Sequence, residues 1–438
     1  MQEKQMIKKL YIKTFGCQMN VYDSNRMRDA LMVLGYTETQ KPESADVILI
    51  NTCHIREKAS EKLFSELGRL NQIKKKNALI VVTGCVVQAD GAEILKRSPM
   101  IDIALGPQSY HELPKLLTQY NRKKGRQIVA EFPAESKFDS LPQPQKSSAN
   151  AFLAIQEGCD NFCSYCVVPY TRGCEYSRPS DEIIKEAKEL VKLGAKEIML
   201  LGQNVNCWHG DVGRDLGDLI RDIAKIRNLK RIRYTTSYPS KITQNLIQAH
   251  KDVKKLMPYI HIPIQSGSDR VLKAMNRQYT VAEYEKIVAD FRSARPDIAI
   301  SSDFIVGFPG ETEEDFEQTL ALVERVKYAS SYSFKFSTRP GTPASLMKDQ
   351  IDEAVKTKRL MKLQKLLLSQ QRAFNEATVG KELDILLTER GKVRGQLLGY
   401  SPYMQGTVVR AHLSKMGEIV RVKITDATAT ALMGKIIE

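Results

Sequence analysis

Apolar positions in the first part of this chain fall in short runs separated by amphipathic stretches. "KLYIKTFGC" precedes a helical pattern from Tyr22 to Leu34, and "ADVILINTC" precedes another from Glu57 to Ile73. "ALIVVTGC" leads to a helix near Ala92, and "IDIALGP" leads to "HELPKLL". Strand-length apolar runs alternating with helices predict a parallel, doubly wound α/β sheet buried on both faces, over residues 8–125. The pattern fades in "EFPAESKFDSLPQPQKSSAN", which is rich in Pro and Ser and predicts a linker, bounded at 126–148.

Alternation resumes over 149–376. Strand candidates are "AFLAIQ", "EIMLLGQNV", "RIRYTTS", "YIHIPIQ", "IAISSDFIVGF" and "SYSFKFS", with helical patterns such as Asp181 to Leu193 and Val281 to Phe291 between them. Ser180 and Asp181 are read as the N-cap and first-turn charge of the first of these helices. Six such units predict a partial (β/α)6 barrel of the TIM type, open on one side. Residues 353–376 form one long helical pattern whose Lys356, Lys358, Arg359, Lys362, Lys365 and Arg372 have no acidic neighbour between Val355 and Arg372. Beyond Gly380 the runs "LDILLTE", "VRGQLLGY", "GTVVRA" and "EIVRVKIT" predict a small all-β barrel over 377–438. The whole is an α/β multidomain chain.

The 438 residues are 42% hydrophobic and 27% charged, which excludes a disordered chain. No apolar run approaches the ~18 residues of a membrane span, and "MQEKQMIKKLYIKTFG" lacks a secretory h-region. A soluble, cytoplasmic protein with no membrane partner is expected. The charge balance, 66 − 51 = +15, points to a polyanionic partner, with nucleic acid first.

Eight cysteines in a reducing compartment read as ligands or packing residues rather than staples. Cys17, Cys53 and Cys85 each end an apolar run, at the carboxyl ends of three strands. In an open α/β sheet those ends face one crevice, so the three are expected to share a ligand. Cys159, Cys163 and Cys166 fall in "EGCDNFCSYCVVPY" as C-x3-C-x2-C, on a loop leaving the first barrel strand. A structural zinc wants four ligands, which Cys174 could complete. An iron–sulfur cube held by three thiolates keeps one iron free for a substrate. Cys207 joins neither group. His54, Trp208 and His209 have no assignable role.

The spacing C-x3-C-x2-C on that loop resembles the signature of radical S-adenosylmethionine (SAM) enzymes. Together with "TFGCQMNVYDS", "NTCHIREKA", "TGC", "LLGQNVN", "IPIQSGS", "DFIVGFPGETEEDF" and "STRPGTPAS" it resembles the methylthiotransferase family along essentially the whole chain. The resemblance implies a SAM-cleaving [4Fe–4S] cluster on Cys159, Cys163 and Cys166, which are then the catalytic cysteines. It implies a second, auxiliary [4Fe–4S] cluster on Cys17, Cys53 and Cys85, and two SAM molecules per turnover. Gln203, Asn204, Ser237, Gln265, Gly307, Gly310 and Glu311 are implied SAM contacts, at the ends of barrel strands. The small C-terminal barrel becomes a TRAM domain that binds tRNA, assisted by the basic helix 353–376.

The implied reaction adds a methylthio group to carbon 2 of N(6)-dimethylallyladenosine at position 37 of tRNA, beside the anticodon. An external electron donor and iron–sulfur assembly proteins are implied partners, and a monomer is expected. A sibling acting on threonylcarbamoyladenosine in tRNA or on a ribosomal-protein aspartate is the nearest alternative. A non-catalytic, metal-stabilised RNA-binding protein is the alternative from another class.

Overall fold

In the computed structural model, which describes residues 8–53, 57–122, 125–132 and 137–437, the chain divides into two units. One holds Met1–Lys146 with Val167–Cys174, the other Ser147–Cys166 with Glu175–Glu438.

The first unit is built on six parallel strands. Their spatial order is Tyr36–Glu38, Lys8–Thr14, Val47–Asn51, Leu79–Thr83, Ile103–Leu105 and Gln127–Val129. Alternate residues of one strand enter opposite cores: Val47 and Leu49 pack with Met27, Leu31 and Leu113, while Ile48 and Ile50 pack with Leu63, Leu67 and Leu70. Burial on both faces is why these strands read as unbroken apolar runs. Strand order reverses beside the first strand, between Lys8–Thr14 and Val47–Asn51, which is where such sheets open a crevice.

Three boundaries differ from the sequence reading. The first helix begins at Gln18 rather than Tyr22, with Cys17 at its N-cap. The helix near Ala92 is two pieces, Cys85–Asp90 and Glu93–Arg97. The expected linker 126–148 is largely integral to the first unit. It opens with the sixth strand, buries Lys137 and Phe138, and is tied down by Arg26 on the carbonyl of Pro142 and Arg28 on that of Lys146. Pro and Ser signal the absence of regular structure, which is not the same as the absence of contacts.

In the second unit six parallel strands follow one another in chain order. Asn150–Ala154, Glu197–Leu201 and Arg231–Tyr234 form one sheet, and Tyr259–His261, Ala299–Val306 and Ser330–Lys335 the next. A bridge from Ile232 to Leu256 joins them. Among the described residues no ladder connects the first strand to the last, so the barrel is open on one side. Capping boxes at Asp215/Asp218, Thr280/Glu283 and Thr312/Asp315 start three of the covering helices. The Ser180 cap is corrected: Pro179 holds the cap position, and the backbone N–H of Ser180 donates to Asp211 Oδ1 at 3.0 Å instead. A remote carboxylate has taken over the local cap.

The long helix Glu353–Glu376 lies against the last strand and does not present all its cations to solvent. Lys356 and Arg359 are buried, Arg359 pairs with Glu311 and Glu313, and Lys362 pairs with Glu317. Lys358 and Lys365 face outward. Among the described residues no helix is long and apolar enough to cross a membrane.

The C-terminal barrel is closed by five strands, one more than the sequence suggested: Leu432–Ile436 completes it, its pattern broken by Gly434. This barrel is bolted to the amino-terminal end of the larger one. Arg231 donates to the carbonyls of Tyr400 and Asp384, and Arg233 to those of Pro402 (2.9 Å) and Ser401 (2.7 Å). Glu197 Oε2, 3.0 Å from Arg233 Nε and 3.7 Å from Arg231, is the carboxylate the two arginines share. Removing one member of a buried ion pair strands the other, at about 3–5 kcal/mol. With Arg231 still 3.7 Å from Glu197, Arg233→Ala is expected to lower the free energy of unfolding by about 3 kcal/mol, the low end of that range, seen as a lower denaturant midpoint, and Arg233→Lys, lacking the fork, to restore only part of it. An unchanged midpoint would refute the clamp.

Candidate active site

The three strand-end cysteines of the first unit converge. Cys17 follows the strand Lys8–Thr14, Cys53 follows Val47–Asn51, and Cys85 follows Leu79–Thr83, three adjacent strands at the reversal of order. Cys53 is hydrogen-bonded to both Cys17 and Cys85. Two glycines make the approach possible. A Cβ on Gly16 would stand 2.5 Å from Cys53 Cβ, one on Gly84 2.3 Å from the carbonyl of Thr52, and both have left-handed φ, +120° and +102°. Cys17 Sγ donates to Asn20 Oδ1 (3.1 Å), and Asn20 Nδ2 to Asn51 Oδ1 (2.9 Å), which ties the first thiol to the end of the central strand.

Buried charge surrounds this trio. Arg172 hydrogen-bonds Cys85 and pairs with Asp23 at 2.8 Å. Lys137 Nζ lies 3.6 Å from the same carboxylate and 2.9 Å from the carbonyl of Pro107. Of these charges Arg172 lowers the Cys85 thiol and Asp23 opposes it. Hydrogen bonding to Cys53, aided by Arg172, draws Cys17 and Cys85 down to about 6. Cys53 is pushed up by its hydrogen bonds with Cys17 and Cys85 and by burial. A pocket that lowers two thiols through hydrogen bonds and a buried arginine suits a site for an anionic iron–sulfur cube.

In the second unit Cys159, Cys163 and Cys166 sit on the loop beyond Gln156–Glu157. Cys159 Sγ accepts from Asn204 Nδ2 (3.0 Å) and Asn161 Nδ2 (3.5 Å), and Arg277 reaches Cys163 Sγ at 3.5 Å. Arg277 is itself fixed, stacked 4.4 Å from the Tyr238 ring centroid and donating to Tyr279 Oη and the carbonyl of Pro263. Asn276 Nδ2 holds the carbonyls of Asn161 and Phe162, and Phe162 has a left-handed φ of +44°. Ser164 ties the loop to the carbonyls of Ala274 and Met275. Such bracing is what a multi-thiolate loop requires. Among the described residues no three His, Cys, Asp or Glu side chains stand as ligands of a single metal ion. The ligands of a four-iron cube bind different irons and are spread farther apart than those of one ion.

The other expected residues lie at the carboxyl ends of barrel strands. Gln203 Oε1 accepts from the backbone of Gly158 at 2.6 Å, so Gln203 and Asn204 both touch the thiol loop. Ser237 is buried, and its Oγ has no hydrogen-bond partner among the described residues. Gln265 is buried at φ +76°. Gly307 donates to Glu311 Oε1 (2.9 Å), Gly310 to the carbonyl of Asp349 (2.8 Å), and Glu311 is already paired with Arg359. Burial pushes the Glu311 carboxyl up against that pairing.

The sequence reading missed Gln156, whose Oε1 accepts from the backbones of Gln203 (2.9 Å) and Asn204 (3.1 Å). It also missed Arg172, Lys137, Asn276 and Arg277. Cys174 is exposed, and burial pushes the Cys207 thiol up to about 12. Trp208 is a core residue whose Nε1 donates to the carbonyl of Arg178, and His209 pairs with Glu175 at 3.4 Å. His54 lies outside the described residues.

Family models match three segments: the one described as uncharacterized protein family UPF0004 at residues 9–106, the radical SAM superfamily at 153–323 and the TRAM domain at 376–437. Two curated relatives carry the name tRNA-2-methylthio-N(6)-dimethylallyladenosine synthase. That of Maricaulis maris is 52% identical, covering 98% of this chain and 97% of the relative. That of Bartonella quintana is also 52% identical, over 98% and 96%. The chain belongs to this family. The radical SAM domain of this synthase family implies a [4Fe–4S] cluster and SAM, and its TRAM domain supports tRNA binding. The fold is shared with the solved radical SAM methyltransferase TsrM of Kitasatospora setae. That structure, with cobalamin and a [4Fe–4S] cluster bound, matches at TM-score 0.59 and 13% identity over 78% of this chain and 77% of that one.

Proposed function

We propose that this chain is a radical SAM tRNA methylthiotransferase, converting N(6)-dimethylallyladenosine at position 37 of tRNA into its 2-methylthio derivative. The observation that carries the reading is 52% identity along 98% of the chain to synthases of that name. The two thiol trios, each in its own unit, support it.

Residues 8–125 form the sulfur-donating part, 149–376 the radical core and 377–438 the tRNA-binding part. Cys159, Cys163 and Cys166 would hold a [4Fe–4S] cluster, which supplies the electron that cleaves SAM and so the radical that removes hydrogen from carbon 2 of adenine. Cys17, Cys53 and Cys85 would hold a second cluster, the source of the inserted sulfur. One SAM per turnover gives its methyl group and another the radical.

The chain's own residues set the conditions for this. Asn204 and Asn161 aim the Cys159 sulfur, and Arg277 places positive charge beside Cys163. Arg172 does the same for Cys85. Ser237 Oγ, Gln265 and Gln203 offer polar atoms to SAM, and the turn Gly307–Glu311 supports its adenine. The last 60 residues carry nine Lys/Arg against six Asp/Glu, and with Lys358 and Lys365 they meet the tRNA backbone. The protein acts as a cytoplasmic monomer served by an external electron donor and iron–sulfur assembly proteins.

The test is anaerobic incubation with reductant, SAM and a dimethylallylated anticodon stem-loop, followed by nucleoside mass analysis. The expected product carries one methylthio group in place of hydrogen. Unmodified nucleoside from protein with two clusters' worth of iron and sulfide would overturn the reading.

A further inference from the structure

The last barrel strand, Ser330–Lys335, has one face that the fold leaves uncovered. In its neighbour Ala299–Val306, the residues Ile300, Phe304 and Val306 point to the helix-side core. Ser301, Asp303 and Ile305 therefore point the other way, into the barrel. The register pairs Asp303 with Tyr332 and Ile305 with Phe334, so both aromatics share that inner face. Lys335, between Phe334 and Phe336, turns outward to Glu353 and Thr357 of the long helix. Yet Tyr332 is 58% and Phe334 43% exposed, a poor use of two large rings unless something else covers them.

The stripe is continuous with the reaction centre. Phe336, next on the same face, is buried in a cluster that Ile305 and Tyr165 of the thiol loop join. Below, the Tyr332 ring meets His261 edge-on at 6.3 Å, and His261 Nε2 lies 3.3 Å from Asp303 Oδ2. The stripe thus grades from polar at its lower end to apolar beside Tyr165. It also lies where RNA must pass. The C-terminal barrel is clamped at the amino-terminal ends of the strands, whereas the thiol loop is at the other end, about 25 Å along an eight-residue strand. RNA held by the former reaches the latter along the barrel's open side, whose edge is this strand.

Building on the proposed function, we propose that Tyr332 and Phe334 form the subsite for the substrate adenine and its dimethylallyl group. A flat purine stacks on an aromatic face, and a branched five-carbon chain needs apolar surface and no hydrogen-bond partner. An edge strand, paired along one side only among the described residues, with two exposed rings on its inner face offers both. The subsite makes the prenyl group a condition of good binding, so the prior reaction must be one that alkylates the adenine amino nitrogen.

The test compares binding of dimethylallylated and plain anticodon stem-loops by fluorescence anisotropy, which needs no turnover. The parent is expected to prefer the prenylated RNA about tenfold, and Tyr332→Ala/Phe334→Ala to bind both equally. Phe334→Asp, a change an exposed position tolerates, is expected to lose most of the preference. On the prenylated RNA, kcat/KM per cluster falls about 10- to 100-fold in the double variant, as expected for a lost base stack. A parental preference in either variant overturns the subsite. A parent that yields no methylthio product overturns the proposed function, a separate outcome.

Discussion

Cys163→Ala is expected to reduce 5′-deoxyadenosine formation from SAM to background, a loss of about a thousandfold or more. Cys163 is the most enclosed of its trio and the one beside Arg277. Alanine provides no thiolate, so two ligands remain for a cluster that needs three. A thousandfold corresponds to about 4 kcal/mol of barrier, far beyond any packing effect of trading a thiol for hydrogen. The loop itself should persist, because Asn276 and Ser164 hold it through backbone carbonyls that the substitution leaves in place. Chromatographic measurement with dithionite as reductant checks this. SAM cleavage at the parental rate would remove Cys163 from the proposed ligand set.

Cys53→Ala is expected to separate two activities that Cys163→Ala removes together. Methylthio product falls by about a hundredfold or more, whereas SAM cleavage stays within a few-fold of the parent. Cys53 is the hub of its trio, hydrogen-bonded to both other thiols, so no two-ligand remnant can stand in for it. Iron analysis should show about half the parental content. Parental yields of thiomethylated nucleoside would exclude Cys53 from sulfur delivery.

Much of the scaffold was legible because local pattern and tertiary role coincide. The strand Val47–Asn51 reads as a buried run because both faces are covered, and the cysteine after it follows from where such strands end. The glycines before Cys17 and Cys85 were visible too, though only the structure shows that side chains there would collide with Cys53 and Thr52. What stayed hidden is long-range pairing. Arg172 meets Asp23 across 149 positions, and Arg233 meets Ser401 across 168. An arginine surrounded by ordinary neighbours carries no mark of such a partner. The cationic helix shows the opposite failure: its charges looked uniform in sequence, yet Arg359 is buried against Glu311 whereas Lys358 faces outward. The alternation of Tyr332, Phe334 and Phe336 was in plain view, but period two marks a strand without saying which face stays bare.

The joint between the two barrels grips main-chain oxygens. Arg231 and Arg233 together hold four carbonyls, at Asp384, Tyr400, Ser401 and Pro402, and no side chain of the smaller barrel. Of the held loop's side chains this joint reads Tyr403, on Asp297 and Phe374, and Gln405, on Asn375, and the four gripped carbonyls read none. The smaller barrel can therefore vary its outward residues, and with them its taste in RNA, while remaining seated at one fixed angle on the machine beneath it.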